Sequence, residues 1–168
     1  MQRVLIVGPC GAGKSTMGFA LAEATGLPLF HMDQLNWQPG WIEAGDDSLR
    51  TKLREVVAGD RWIIEGTYGA TLAERLPRAD TVLYLDYPIG LCFWRTLKRI
   101  RTWHGRVRPD MSEGCPERLD LGFLLYVARW NHGSRQRLEG RIAPYRDKVI
   151  RLRSPAEAAR LLATLCPR

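Results

Sequence analysis

Residues Gly8–Ser15 read GPCGAGKS and fit G-x-x-x-x-G-K-[ST], the pattern of a phosphate-binding loop. The apolar run Val4–Val7 precedes them and predicts a strand that is buried on both faces. Apolar residues then recur from Met17 to Ala24 at helical spacing. The loop is therefore predicted to connect a strand to a helix, which is the context in which this motif binds phosphate.

The residue types of this loop match what a bound polyphosphate requires. Its glycines permit positive φ angles and bring backbone N–H groups close to an anion. The Lys14 side chain can reach the β- and γ-phosphates, and the Ser15 hydroxyl can join the shell of a Mg²⁺ ion. We therefore expect ATP and Mg²⁺ as cofactors. Nucleotide contacts are expected from Gly8, Gly11, Ala12, Gly13, Lys14, Ser15 and Thr16.

Length and composition favour one domain over residues 1–168. The chain has no run of about 18 apolar residues, so no membrane span is predicted. The first residues enter a strand directly and lack the features of a signal peptide, which predicts a cytoplasmic protein. We expect a monomer or a homodimer. The four cysteines, Cys10, Cys92, Cys115 and Cys166, form no C-x-x-C pair. Their spacing indicates neither a zinc site nor a disulfide framework.

Charge is unevenly distributed along the chain. The net charge is +7, and residues 94–153 hold 15 of the 25 Lys and Arg but 6 of the 18 Asp and Glu. Most of these basic residues are Arg, whose planar guanidinium binds phosphate in a bidentate manner. The surplus suits a polyphosphate ligand, with exposed basic helices and a nucleic-acid backbone as alternatives. Because no helix-turn-helix or finger signature is visible, we expect a small-molecule acceptor rather than nucleic acid.

Strand and helix patterns alternate along the whole chain. Further strands are predicted at Leu27–Asp33, Arg61–Gly69, Thr81–Asp86 and Lys148–Leu152. A long helical stretch is predicted at about Glu117–Ile142, either continuous or interrupted at Gly133. Helical patterns separate the strands. This alternation implies an α/β fold in which helices cover both faces of a parallel sheet.

Three of these strands carry an acid near their carboxyl ends, where ligands bind in open α/β sheets. Asp33 can accept the proton of a substrate hydroxyl, bind Mg²⁺ through water or cap a helix. Glu65 suits a carboxylate that orients the water shell of Mg²⁺, so we expect Ser15 and Glu65 at the metal. Asp86 suits either the metal or a capping role.

Two further segments carry side chains of functional interest. Trp37 and Trp41 flank a Pro-Gly turn and can either stack on a flat or sugar-like substrate or pack this segment onto the core. Arg95 and Arg99 share one face of a predicted helix, where an anion or solvent separates their charges. Residues 102–117 lack any period and contain arginines, which predicts a mobile lid.

Taken together, the motifs resemble a known family. They are GPCGAGKS (8–15), LPLFHMDQLNWQPGW (27–41), WIIEGTYG (62–69), ADTVLYLDYP (79–88) and RPDMSEGCPERLD (108–120). They resemble the small bacterial P-loop proteins known as topology modulation proteins or adenylate-kinase-related kinases, over nearly the whole chain. More broadly, the pattern is similar to nucleoside monophosphate kinases and to shikimate- and gluconate-type kinases.

The resemblance implies a three-layer α/β/α P-loop kinase fold with a five-stranded parallel sheet in the order 2-3-1-4-5. It also implies a substrate-binding insert at 34–61 and an arginine-bearing lid at 102–117. Arg95 and Arg99 match paired arginines that precede the lid and hold the nucleotide. Asp33 matches the substrate-side acid of shikimate-type kinases. We expect Asp33, Trp37, Trp41 and Tyr68 to contact the substrate.

The sequence thus predicts an ATP- and Mg²⁺-dependent kinase that transfers the γ-phosphoryl group to a hydroxyl of a small molecule, with nucleoside-type compounds among the candidates. Lys14, Asp33 and Arg99 are the expected catalytic residues. The alternatives are an antibiotic phosphotransferase that confers resistance to capuramycin-type nucleoside antibiotics, a nucleoside monophosphate kinase and a DNA-binding topology regulator. No acceptor-phosphate motif is recognisable among the basic residues between Asp33 and Glu65, which favours a hydroxyl acceptor.

Overall fold

The computed structural model describes residues 1–165. Cys166, one of the four cysteines for which no zinc site or disulfide was predicted, lies outside the described part. Its main sheet has five parallel strands, with a separate two-stranded hairpin. The strands are β1 (Arg3–Val7), β2 (Leu29–His31), β3 (Trp37–Gln38), β4 (Ile42–Glu43), β5 (Trp62–Glu65), β6 (Thr81–Leu85) and β7 (Val149–Leu152). The order of the main sheet is β2-β5-β1-β6-β7. Counting only its own strands, this is 2-3-1-4-5, so the predicted fold is confirmed.

Eight α-helices lie within the described residues. They are α1 (Lys14–Thr25), α2 (Met32–Asn36), α3 (Asp46–Ala58), α4 (Leu72–Arg75), α5 (Ile89–Trp103), α6 (Leu121–Ala128), α7 (Ser134–Ile142) and α8 (Pro155–Leu165). Two 3-10 helices span Gly69–Thr71 and Ala143–Lys148. None of the helices within residues 1–165 combines the length and apolarity that a bilayer crossing requires.

The central strand β1 explains why the core divides into two layers. Val4, Leu5, Ile6 and Val7 are all completely buried, as expected for a strand that is covered on both faces. Leu5 and Val7 pack with apolar residues of α3, α4 and α7. Val4 and Ile6 point to the other side and pack with residues of α1, α5 and α8. The three-layer arrangement follows from this alternation.

The helical stretch predicted over Glu117–Ile142 is interrupted at Gly133, one of the two predicted alternatives. Gly133, at φ +130°, separates α6 from α7 in a conformation that L side chains rarely adopt. Two predicted boundaries differ from the structure. Helix α6 begins after Asp120, whose side chain caps it by accepting a hydrogen bond of 2.9 Å from the Phe123 N–H. The second strand ends at His31, so Asp33 lies in the first turn of α2. Within residues 1–165, Cys10, Cys92 and Cys115 are free thiols.

The Arg75 side chain is completely buried below the turn that follows β5. Its guanidinium donates hydrogen bonds to the carbonyl oxygens of Gly66, Thr67 and Tyr68 at 2.7, 2.7 and 3.0 Å. Burial lowers the pKa of Arg75 to about 9, and nearby acidic groups oppose this shift. The guanidinium is therefore charged at neutral pH and fixes a turn that carries three carbonyls.

We expect Arg75→Met to lower the free energy of unfolding by about 3 kcal/mol, because each buried carbonyl left without a donor costs about 1–3 kcal/mol. Removal of a buried charge offsets part of that cost. Urea unfolding of both proteins measures the difference. Arg78→Met is the matched control, since Arg78 also donates to carbonyls but is exposed. Equal losses in the two variants would contradict the role of Arg75.

Candidate active site

The phosphate-binding loop has the backbone that its glycines predicted. Gly8, Gly11 and Gly13 have φ angles of +145°, +79° and +93°. A Cβ atom at Gly11 would overlap the carbonyl oxygen of Cys92 on α5, and one at Gly8 would lie 2.5 Å from the carbonyl oxygen of Leu85 on β6. Gly13 is the N-cap of α1, so the loop ends at a helix N-terminus, which favours an anion.

A single cleft of about 1170 Å³ runs from this loop to the hairpin of β3 and β4. All of the predicted site residues line it. They are Gly8, Gly11, Ala12, Gly13, Lys14, Ser15, Thr16, Asp33, Trp37, Trp41, Glu65, Tyr68, Arg95 and Arg99. The fold therefore brings the nucleotide-side and the substrate-side candidates to one cavity, which is large enough for two small ligands.

Three oxygen-bearing side chains converge at the start of α1. The Ser15 hydroxyl lies 2.6 Å from an Asp110 carboxylate oxygen and 3.2 Å from Glu65 Oε1. The same Glu65 oxygen lies 2.7 Å from His31 Nδ1, and both of these residues are buried. Glu65 is thus held by the sheet, since it ends β5 beside His31 of β2. Hard oxygen donors of this kind suit Mg²⁺.

Asp33 and Tyr68, which were both predicted to contact the substrate, form a hydrogen-bonded pair. The Tyr68 hydroxyl donates a hydrogen bond of 2.7 Å to Asp33 Oδ1. Burial raises the pKa of Asp33, the negative charge of Glu65 raises it further, and the Tyr68 hydrogen bond and Lys14 oppose the shift. A carboxyl group with a raised pKa inside a cleft is suited to proton transfer.

The turn that carries Tyr68 is fastened to the phosphate loop. Tyr68 has a φ of +31°, which is uncommon for a bulky residue and requires support from its surroundings. The Thr67 hydroxyl donates to the Gly8 carbonyl at 2.6 Å and accepts from the Gly8 N–H at 3.0 Å. Arg75 binds the same turn from below. Tyr68 is therefore positioned by the phosphate-binding loop beside it.

Arg95 and Arg99 lie at different places along α5. Arg95 approaches the phosphate loop, with its guanidinium 3.5 Å from the Ala12 carbonyl oxygen and 5.9 Å from the centre of the Tyr87 ring. Arg99 instead forms an ion pair of 3.2 Å with Glu117. In this structure only the first of the pair contacts the loop.

The predicted lid begins later than expected and is anchored by a buried arginine. Helix α5 continues to Trp103, so the loop starts at His104. Arg108 is buried and forms ion pairs with Asp110 at 2.6 Å and with Glu117 at 2.7 Å. Together with Arg99, these residues form a four-membered charge network across the segment.

The two tryptophans line the cleft and contact each other, and their role toward a substrate stays a prediction. Trp37 and Trp41 lie on the hairpin with ring centroids 5.5 Å apart in an edge-to-face arrangement, and both line the cleft. Trp41 also packs outward, because its indole N–H donates to the Pro116 carbonyl at 3.0 Å and Arg118 lies 5.6 Å from its ring centre.

Asp86 is engaged away from the cleft. Its carboxylate contacts the guanidinium groups of Arg135 at 2.9 Å and Arg151 at 2.5 Å, and it accepts from the Tyr84 hydroxyl at 3.1 Å. These contacts favour the structural alternative for Asp86 over a metal-binding role.

Comparisons with known proteins are consistent with this geometry. No family model matches the chain. The chain is 31% identical over 128 residues to a shikimate kinase of Rhodococcus jostii (strain RHA1), across 68% of this chain and 73% of that protein. The chain belongs to the P-loop kinase family of the shikimate kinases. It is also 27% identical over 132 residues to a shikimate kinase of Baumannia cicadellinicola, across 70% of this chain and 73% of that protein.

Solved structures of these kinases share the fold. A shikimate kinase from Acinetobacter baumannii in complex with shikimate has a TM-score of 0.54 at 22% identity, across 98% of this chain and 93% of that one. A gluconokinase from Sinorhizobium meliloti 1021 has a TM-score of 0.52 at 18% identity, across the same shares. The predicted enzyme class is confirmed at the level of a small-molecule kinase. The narrower membership among topology modulation proteins stays a prediction.

Three residues of the site were not predicted from the sequence. Asp110 and Glu117 lie in the segment that was read as a lid of arginines, and His31 lies two residues before Asp33. The alternation of Arg108 with Asp110 in a Pro-containing loop is a weak local signal for an ion pair. His31 carried no such signal, because its partner Glu65 is brought to it by strand pairing.

We expect Tyr68→Phe to raise the pKa of Asp33 further, because the hydrogen bond from Tyr68 stabilises the ionised carboxylate. Carbon-detected NMR titration of the aspartate carboxyl groups measures the shift. Tyr126→Phe is the control, since Tyr126 lines the same cleft but its hydroxyl contacts other groups. A titration midpoint for Asp33 that stays in place, or moves to lower pH, would show that Tyr68 does not control this carboxyl group.

Proposed function

We propose that the protein is an ATP- and Mg²⁺-dependent kinase that transfers the γ-phosphoryl group to a hydroxyl of a small molecule. The observation that carries the proposal is the position of Asp33, an acid with a raised pKa in the same cleft as Lys14 and Ser15. The similar proteins are shikimate kinases and a gluconokinase, which are kinases of small molecules and support this class of reaction.

The nucleotide side of the cleft supplies binding and charge. In the proposal, the N–H groups of the phosphate loop and the N-terminus of α1 cradle the phosphates. The Lys14 ammonium, which donates to the Pro9 carbonyl at 3.0 Å in this structure, turns to the β- and γ-phosphates. Arg95 joins them from α5, and Arg99 follows when its ion pair with Glu117 gives way to phosphate.

The donor set beside Ser15 fits Mg²⁺ and not a soft metal. It consists of a hydroxyl and carboxylates. No group of three or more His, Cys, Asp or Glu side chains in residues 1–165 is arranged as a metal cage. This agrees with an ion that is held largely by nucleotide phosphates and water. When bound, Mg²⁺ would neutralise charge on the phosphates.

The acceptor side of the cleft supplies a base and walls. The acceptor hydroxyl loses its proton to the Asp33 carboxylate as its oxygen forms a bond to the γ-phosphorus. The bond between that phosphorus and the β–γ bridging oxygen breaks, and ADP leaves. Tyr68 holds Asp33 in place through its hydrogen bond. Trp37 and Trp41 provide an aromatic wall for a cyclic or flat acceptor.

The placement of basic residues favours a hydroxyl over an acceptor phosphate. Among the described residues, none of the basic side chains of the 34–61 insert lines the cleft. Arg50 and Arg54 form ion pairs with Glu74 on α4 instead. A nucleoside monophosphate would therefore find no cation from the insert for its phosphate. Nucleoside-type compounds, including capuramycin-type antibiotics, stay among the hydroxyl acceptors of the proposal.

Release of ADP from Mg·ATP across a panel of acceptors tests the proposal. The panel contains shikimate, gluconate, small polyols and sugars, nucleosides, capuramycin and the common nucleoside monophosphates. Stimulation by a hydroxyl compound supports the proposal and names the substrate class. Stimulation by a nucleoside monophosphate alone would overturn it in favour of a nucleotide kinase. A flat panel together with tight, salt-dependent DNA binding would favour the DNA-binding regulator.

We expect Lys14→Ala to lower kcat for ADP release by about 10³-fold, because one cation at the transferring phosphoryl group is removed. Steady-state kinetics with the stimulating acceptor measures the change. Lys98→Ala, on an exposed part of α5, is the control for charge alone. Turnover of Lys14→Ala within tenfold of the original protein would rule out Lys14 as a catalytic group.

We expect Asp33→Asn to lower kcat by about 10²–10⁴-fold and to leave the Kd for ATP unchanged, because only the acceptor loses its base. Kinetics and nucleotide titration measure the two quantities. Glu43→Gln removes a carboxylate from the same side of the cleft and serves as the matched control. If Asp33→Asn turned over at the original rate, another group would have to take the proton.

A further inference from the structure

A carboxylate of the 104–120 loop reaches the start of α1, 95 positions away in sequence. Asp110 Oδ2 lies 2.6 Å from the Ser15 hydroxyl, the group that the proposed function places on Mg²⁺. On the basis of that function, we propose that Asp110 is a carboxylate ligand which this loop supplies to the magnesium ion of the nucleotide. The metal would then be held by one carboxylate from the sheet and one from the loop.

The arrangement around Ser15 supports this assignment. The hydroxyl lies between two carboxylates, with Glu65 Oε1 3.2 Å away and Asp110 on its other side. Both carboxylates are buried, at 3% and 7% exposure. Arg108 contacts Asp110 and His31 contacts Glu65, so each carboxylate already has one basic partner besides the Ser15 hydroxyl that the two share. Carboxylates that face one hydroxyl favour a cation there, and a divalent ion at the Ser15 hydroxyl would be shared by both.

Asp110 is positioned by the rest of its loop. Arg108 binds its carboxylate through Nη1 at 2.8 and 2.6 Å, and Arg108 Nε binds Glu117 at 2.7 Å. Arg108 binds both loop carboxylates by itself, so this anchor does not require the ion pair between Arg99 and Glu117. The loop thus presents the carboxylate from a fixed base, as a coordinating side chain requires.

The same loop is docked against the segment that carries the acceptor wall. Main-chain and side-chain hydrogen bonds join the two segments between residues 34–41 and 109–116. Three bonds run to carbonyl oxygens of the loop: the Gln34 amide donates to Pro109 at 2.9 Å, the Gly40 N–H to Gly114 at 2.8 Å and the Trp41 indole N–H to Pro116 at 3.0 Å. Two run the other way: the Ser112 hydroxyl donates to the Gln34 carbonyl at 3.1 Å and the Cys115 thiol to the Gln38 carbonyl at 3.0 Å. A ligand from this loop therefore connects the metal to the acceptor side of the cleft.

The opposite role for Asp110 predicts an opposite result. If Asp110 only blocks the Ser15 hydroxyl until nucleotide displaces it, its removal strengthens metal binding. If Asp110 is a ligand, its removal weakens metal binding. The direction in which metal affinity changes when Asp110 is removed therefore distinguishes a metal ligand from a residue that blocks the Ser15 hydroxyl.

The test is titration of Mn²⁺, followed by electron paramagnetic resonance, in the presence of a non-hydrolysable ATP analogue and without acceptor. We expect Asp110→Asn to raise the Kd for Mn²⁺ by about 10–100-fold. Glu113→Gln, which removes an exposed carboxylate from the same loop, is expected to leave the Kd unchanged. An unchanged or lower Kd in Asp110→Asn, with the thermal midpoint preserved, overturns the proposal.

A second variant covers the case in which Asp110→Asn unfolds the loop. Asp110→Cys replaces an oxygen ligand by a thiol, so nucleotide-dependent binding should shift in favour of Cd²⁺ over Mn²⁺ relative to the original protein. A merely structural aspartate would give no such shift. If the original protein shows no nucleotide-dependent Mn²⁺ binding, the proposed function itself fails. If it binds Mn²⁺ and neither Asp110 variant changes metal binding or preference, only the role of Asp110 fails.

Discussion

The structure depends on the close approach of the phosphate-binding loop to the elements around it. The loop leaves β1 at the centre of the sheet and passes so near β6 and α5 that Gly8 and Gly11 have no room for a side chain. Both glycines have positive φ angles, a backbone conformation that other residues rarely adopt. Because the loop is confined in this way, its position is fixed relative to the carboxyl ends of the strands beside β1, and Glu65 ends one of these strands.

The fold could be predicted from the sequence because its main signals are local. Buried strands appear as apolar runs, and Val4–Val7 is one of them. The break between α6 and α7 at Gly133 was among the predicted alternatives, because glycine is itself a local signal. The start of α6 was not predicted, because it is set by the single side chain of Asp120, which caps it. Such a boundary depends on which of several polar side chains accepts hydrogen bonds from the free N–H groups in the first turn of the helix.

The candidate site likewise contains residues that the sequence predicted and residues that it did not. The glycine motif and the acids near strand ends were found because fold topology alone brings them to one rim. Asp110 and Glu117 were missed because their position depends on Arg108, a cation whose burial no periodic pattern indicates. His31 was missed because strand pairing, and not its neighbours in sequence, supplies its partner. Contacts between distant segments are the part that local sequence patterns do not contain.

The docking of the 104–120 loop on the hairpin has an evolutionary consequence. Three of its hydrogen bonds use carbonyl oxygens of the loop, at Pro109, Gly114 and Pro116, and so do not depend on the side chains there. Gly114 itself is restricted to glycine, because it has a φ of +73° and a Cβ atom would lie 2.7 Å from Pro39. Substitution of exposed side chains in the loop therefore leaves the attachment intact. The exposed side chains of the 104–120 loop can therefore vary during evolution while the phosphate-binding loop keeps its geometry.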